Sequence, residues 1–158
     1  MSSSRLSDQL IRVTRSRINE EKFRNEANLR RATSDLYFAT FHAVCEALVE
    51  PLGGDPDNAA FKEIYTRVYR QVRHESLEKR CKSIAEGSDF SVDLRRFAKL
   101  VVTLKNKREA ADYHPLEVFS VSIVKNDLAT TETRLRDFWN AASGDRPTFA
   151  CSVGLKVS

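Results

Sequence analysis

Between Leu36 and Val49 the chain reads LYFATFHAVCEALV, apolar on almost every side of a helix. A helix without a polar face needs neighbours all round, so this one belongs at the centre of a bundle. The segment containing it runs from about Glu26 to Glu50, and its longest nearly uncharged stretch, Leu36 to Cys45, is too short to cross a bilayer. Only five glycines and four prolines occur in 158 residues, and long stretches carry neither. That favours helices over a turn-rich β architecture.

The remaining elements follow from periodicity and breakers. A first helix is expected from about Arg5 to about Asn19, with Leu6, Leu10 and Val13 on one side, and then a loose turn to Asn25. PLGGDPDN at 51–58 is a breaker. Phe61, Ile64, Tyr65, Val68 and Val72 predict a third helix that continues towards Ile84. EGSDFS ends it and offers Asp89 or Ser91 as the next N-cap. A fourth helix covers about Val92 to Tyr113. A fifth starts at Pro115, carries the stripe Val121, Val124, Leu128, Thr131, Leu135 and Phe138, and stops at Ser143-Gly144. The expected fold is all-α: an antiparallel up-and-down bundle of four to five helices in one domain over 1–142. The tail, 143–158, is expected either to be mobile or to dock on a neighbour.

The N-terminus has no apolar core of a secretory signal, and the three cysteines (Cys45, Cys81, Cys151) form no close pair. Free thiols and a cytoplasmic location are the expectation. No His, Asp and Glu spacing suggests a metal centre, and neither a glycine-rich phosphate loop nor a serine elbow is present, so no cofactor is expected.

Net charge is +4, and its distribution is informative. From Leu94 to Arg108 there are six basic residues (Arg95, Arg96, Lys99, Lys105, Lys107, Arg108) and no acidic one. Such a run is either a solvated helix face or a site for phosphate groups. Within it Arg108 stands out. The inward stripe of the fourth helix reads Phe97, Val101, Leu104, Arg108, Ala111, which puts an arginine in line with the core. Three explanations compete: the guanidinium snorkels out at the bundle's end, it pairs with Asp112 one turn on, or it waits in a groove or subunit interface for a phosphate. His114 precedes Pro115 and is pushed out of helical geometry. Its ring is then either a solvent-exposed junction group or free to turn towards Arg108.

Arg108-EAADY-His114 resembles the arginine–spacer–histidine signature of the HEPN superfamily (higher-eukaryote and prokaryote nucleotide-binding domains). NLRRATSDLYFATFHAVCEAL, Asn28 to Leu48, is similar to the second helix of that superfamily's small bacterial branch, with its Tyr37, Phe38, Ala39, Phe41, His42 run. Arg108, Ala111, Asp112 and Tyr113 match the R-x-x-A-D-Y ending of the branch's penultimate helix. The resemblance spans about Leu6 to Ala142.

It implies a HEPN-type bundle that dimerises. It also implies a metal-independent endoribonuclease or RNA-binding toxin, in which Arg108 and His114 of both subunits meet in an interface cleft and a nucleotidyltransferase antitoxin is a candidate partner. In that scheme Arg108 grips phosphate oxygens and His114 moves a proton. Arg95, Arg96, Lys99, Lys105 and Lys107 guide the RNA backbone, while Asp112 and Tyr113 hold Arg108 and the helix end. Two departures stand out: Glu109 follows the arginine, where a carboxylate must turn away or pair with Lys105, and Pro115-Leu116 replaces a tyrosine found after the histidine in some toxins. The alternative is a non-catalytic module that binds a nucleotide or a partner protein. His42 is read as a hydrogen-bonded core or interface histidine, and His74, among Arg73, Glu75 and Glu78, as solvated.

Overall fold

A computed structural model describes residues 5–55, 57–142 and 144–155. Among them are seven α-helices and no strand: α1 (Leu6–Asn19), α2 (Glu26–Val49), α3 (Ala59–Tyr69), α4 (His74–Glu86), α5 (Val92–Tyr113), α6 (Val121–Asn140) and α7 (Asp145–Gly154). The protein is an all-helical bundle. No helix among the described residues is long and apolar enough to cross a membrane.

Helix α2 starts at Asn25, whose side chain accepts from the Asn28 N–H at 3.0 Å. Its all-round apolar stretch is enclosed by α1, α3, α5, α6 and α7, and Leu36, Tyr37, Ala39, Ala43, Val44 and Cys45 have no exposed surface. All three cysteines are free. The aromatic centre lies beside α2, where the Phe97 and Phe138 rings stack at 4.2 Å and Phe149 meets both edge-on.

Several boundaries differ from the sequence expectation, each for a physical reason. Helix α1 buries Ser7, Ile11, Thr14 and Ile18, whereas Leu6 and Val13 are 43% and 49% exposed. The inward face is disguised by its polar members. Ser7 donates through its backbone N–H and its hydroxyl to Glu46, and the Thr14 hydroxyl donates to the Leu10 carbonyl at 2.9 Å. With those bonds made, burying a hydroxyl costs little.

The predicted third helix is two helices. Arg73 is extended (φ −112°, ψ 136°), separating α3, which has no buried residue, from α4, which buries Leu77 and Cys81. The break lets Val72 turn inward, where Gly154 of α7 allows close approach: a Cβ there would lie 3.0 Å from Val72 Cγ2. The turn before α3 uses Gly53 at φ 54°, a left-handed conformation that favours glycine.

The fifth predicted helix begins not at Pro115 but at Val121, capped by Ser120, which accepts from the Ile123 N–H at 3.2 Å. Pro115 instead follows His114 into a turn closed by the Glu117 N–H on the His114 carbonyl. Ser143, half of the predicted stop, lies outside the described residues. Beyond it, residues 144–155 are neither loose nor peripheral. Helix α7 packs on α2 and α4 and buries Phe149, Ala150 and Val153, so the helical unit extends past Ala142 to Gly154.

Two comparisons test these placements. Ile11→Ala is expected to cost about 2–5 kcal/mol, while Val13→Ser stays within about 0.5 kcal/mol. Phe149→Ala is expected to cost about 3–5 kcal/mol, although it lies in the segment first read as a tail. Urea unfolding of the three variants measures all of them.

Candidate functional site

Helix α5 carries the arginine of interest. Phe97, Val101, Leu104 and Ala111 are buried along its inward stripe, and Arg108 follows them in line with its side chain 19% exposed. The Arg108 Nε donates to Asp112 Oδ2 at 3.1 Å. Asp112 is steadied from α2 by the Ser34 hydroxyl, 3.1 Å from Oδ1 and 3.3 Å from Oδ2. The guanidinium carbon lies 5.2 Å from the centre of the Phe38 ring and 5.6 Å from that of Tyr37. One nitrogen is thereby used and the plane is fixed, while the two terminal nitrogens have no acceptor among the described residues.

Histidine 74 belongs to this cluster, contrary to the solvated position expected for it. At the first position of α4 it is half-buried, with its ring stacked on Phe41 at 4.3 Å and edge-on to Phe38 at 6.1 Å. The His74 Nδ1 lies 2.7 Å from the Tyr37 hydroxyl. Tyr37 is fully buried and its hydroxyl has no other partner, so the O–H must donate to Nδ1. That fixes the neutral ring with its proton on Nε2. Burial lowers the proton affinity of His74, and the charges of Arg108 and Lys105 lower it further. Its charged neighbours in sequence conceal this position, because the face it occupies is decided by the break before α4. His42, by contrast, is bonded as the sequence suggests, through Nδ1 to the Tyr69 hydroxyl.

The basic run of α5 divides. The Lys105 Nζ is 2.5 Å from Glu78 and 2.9 Å from Glu109, so the carboxylate that follows Arg108 is taken up; the hydrogen bond from Lys105 holds Glu109 below the usual carboxylate range. Lys107 bridges to Asp127 of α6 at 2.6 Å. Arg95 donates to the Phe90 and Gly87 carbonyls. Arg96 and Lys99 are exposed and have no acidic partner among the described residues.

His114 is the C-cap of α5, extended and exposed. No hydrogen bond or ring contact joins it to Arg108 among the described residues. What surrounds it is well fixed. Arg30 of α2 reaches across with Nη1 to the carbonyls of Ala110 (3.3 Å) and Ala111 (2.8 Å), and with Nη2 to those of His114 (3.0 Å), Pro115 (3.3 Å) and Glu117 (2.5 Å). One guanidinium so serves the carbonyls left open where a helix ends. The same guanidinium lies 5.1 Å from the Phe119 ring centre. The loop it holds exposes Leu116 (93%) and Val118 (80%), with Tyr113 (70%) at its entry. The composition of α2 gives no hint of this role for Arg30.

Two surface cavities, of about 330 and 930 Å³, lie against α1 and α6 and between α1, α2 and α3, and Arg108 lines neither. Among the described residues no group of three His, Cys, Asp or Glu is placed to hold a metal ion. Searches of family models, of curated proteins and of solved structures return no match.

Arg30→Ala is expected to lose about 1.5–3 kcal/mol and to remove hydrogen-exchange protection around 114–120, with Arg30→Lys close behind because an ammonium lacks the planar fork. A second expectation concerns acid. Because folding lowers the pKa of His74, the unfolded chain takes up that proton first, so the stability it supports is complete above about pH 6.5 and declines as pH falls below it. His42, also lowered by burial, adds in the same sense. The urea midpoint is expected to fall between about pH 7.5 and 5.5, and to fall less in His74→Asn, where Oδ1 replaces Nδ1 as acceptor.

Proposed function

We propose that this chain is a HEPN-type protein that binds RNA through its phosphates and cleaves it without a metal ion, as a homodimer whose two Arg108 and His114 pairs meet in a cleft. The observation that carries the reading is Arg108: a guanidinium held in plane by Asp112, Ser34 and the Phe38 ring, with both terminal nitrogens open. Two such donors match two oxygens of a phosphodiester. The neutral imidazole of one His114 takes the proton of the RNA 2′-hydroxyl as that oxygen attacks phosphorus, negative charge grows on the non-bridging oxygens against Arg108, and the protonated imidazole of the second His114 delivers a proton to the 5′-oxygen as its bond to phosphorus breaks. The products are a 2′,3′-cyclic phosphate and a free 5′-hydroxyl.

Support also comes from Glu109, whose charge is directed to Lys105 rather than left against the phosphate. Within one chain Arg108 and His114 do not touch, and the dimer supplies the second histidine in this scheme. The alternative, a non-catalytic module that binds a nucleotide or partner protein, is favoured by the Arg108–Asp112 pair, which serves structure alone equally well.

Cleavage of a mixed RNA pool in EDTA decides between them. Wild type is expected to cut, and Arg108→Ala and His114→Ala to lose about a hundredfold or more while staying folded dimers. Salt-sensitive binding without cleavage by the wild type would select the non-catalytic module. A variant pair as active as wild type would remove both residues from the chemistry.

A further inference from the structure

Three facts about the seam between α2, α4 and α5 bear on one another. Arg108 and His74 both lie against Tyr37 and Phe38, with Arg108 over the two rings and His74 bonded to the one and edge-on to the other. The terminal nitrogens of Arg108 have no acceptor among the described residues. The Nε2 of His74 also has no acceptor among the described residues, and it reaches solvent: of the described side-chain nitrogens and oxygens, only the Trp139 indole nitrogen is both fully buried and without a partner. With Nδ1 accepting from the Tyr37 hydroxyl, Nε2 is the donor. Donors from two helices therefore lie against the same two rings, with no acceptor among the described residues claiming them.

We infer that His74 is part of the phosphate site, its Nε2–H donating to an RNA phosphodiester oxygen beside those held by Arg108. This rests on the reading of Arg108 as a phosphate grip and adds a residue on another helix, forty residues upstream of His114 in the chain.

The charged surroundings are compatible with an anion because the carboxylates nearby are engaged. Glu78 and Glu109 are both bonded to the Lys105 ammonium, and Asp112 to the Arg108 Nε and Ser34. His42, which His74 also influences, is bonded to Tyr69. Tyr37 sets the division of labour on the imidazole: by donating to Nδ1 it keeps the proton on the other nitrogen, ready for a ligand. A bound phosphodiester opposes the field that Arg108 and Lys105 impose on His74, so the ring takes up its second proton more readily when RNA is present.

The test uses the whole chain and a short 2′-O-methyl RNA, which cannot be cut through its 2′-oxygen. Binding is measured for wild type, Arg108→Ala, Tyr37→Phe and the double variant Tyr37→Phe/His74→Ala, in which no buried hydroxyl is orphaned when the imidazole goes. The His74 Hε1 resonance is followed against pH with and without the RNA. Expected are loss of binding in Arg108→Ala, about tenfold weaker binding in the double variant than in Tyr37→Phe, and a His74 midpoint raised by about one pH unit on saturation. If Arg108→Ala loses binding while the double variant matches Tyr37→Phe and the midpoint stays put, His74 is outside the site and Arg108 keeps its role. If Arg108→Ala binds like wild type, the phosphate grip fails, and this inference with it.

Discussion

The fold is organised round the stretch Leu36–Val49 of α2, which has no polar face to give to water. A helix apolar on all sides obliges other elements to surround it, and five helices do so. The obligation sets what those neighbours must be. Ser7 and Thr14 can sit inside because their hydroxyls find acceptors there, and α7 must return to the core because Phe149 fills the space beside Phe97 and Phe138. Several polar side chains of α2 are committed to neighbours. Arg30 holds the end of α5, Ser34 steadies Asp112, and the Tyr37 hydroxyl orients His74.

The candidate site is thus organised from the central helix although its leading residue lies on α5. Arg108 is fixed in angle by groups contributed from α2 and remains open at its tip. A charged group fixed in this way loses little freedom when it meets a ligand, which is the advantage of preorganisation. The same rigidity has a structural reading, since an arginine in a core stripe needs Asp112 in any case. Both readings use the same contacts and differ over the two terminal nitrogens.

How much of this the sequence discloses depends on whether the signal is local. The stops around PLGGDPDN and EGSDFS, the cap at Ser91, and the end of α5 at His114 are local, and they are legible. The inward face of α1 is not, because serine and threonine stand where apolar residues would have marked it. Nor is the break between α3 and α4, which contains neither glycine nor proline and is made by the burial of Val72 against α7. His74 is hidden by that same break. Arg108 is visible as an exception in a periodic stripe, and its pairing with Asp112 was one of the options that spacing allowed. The loop from His114 to Ser120 is invisible for a different reason: its conformation is dictated by a residue some eighty positions earlier.

That loop has a further consequence. Leu116 and Val118 project into solvent from a segment with no regular structure, yet its backbone is tied by a guanidinium to the most buried helix of the molecule. Its order comes from hydrogen bonds behind it, not from side chains packed in front. Exposed apolar surface of that kind is wetted but not floppy. Any body that covers it gains the release of water from two aliphatic side chains without first having to freeze the chain that bears them. The cost of holding the loop in one shape was met when the bundle folded.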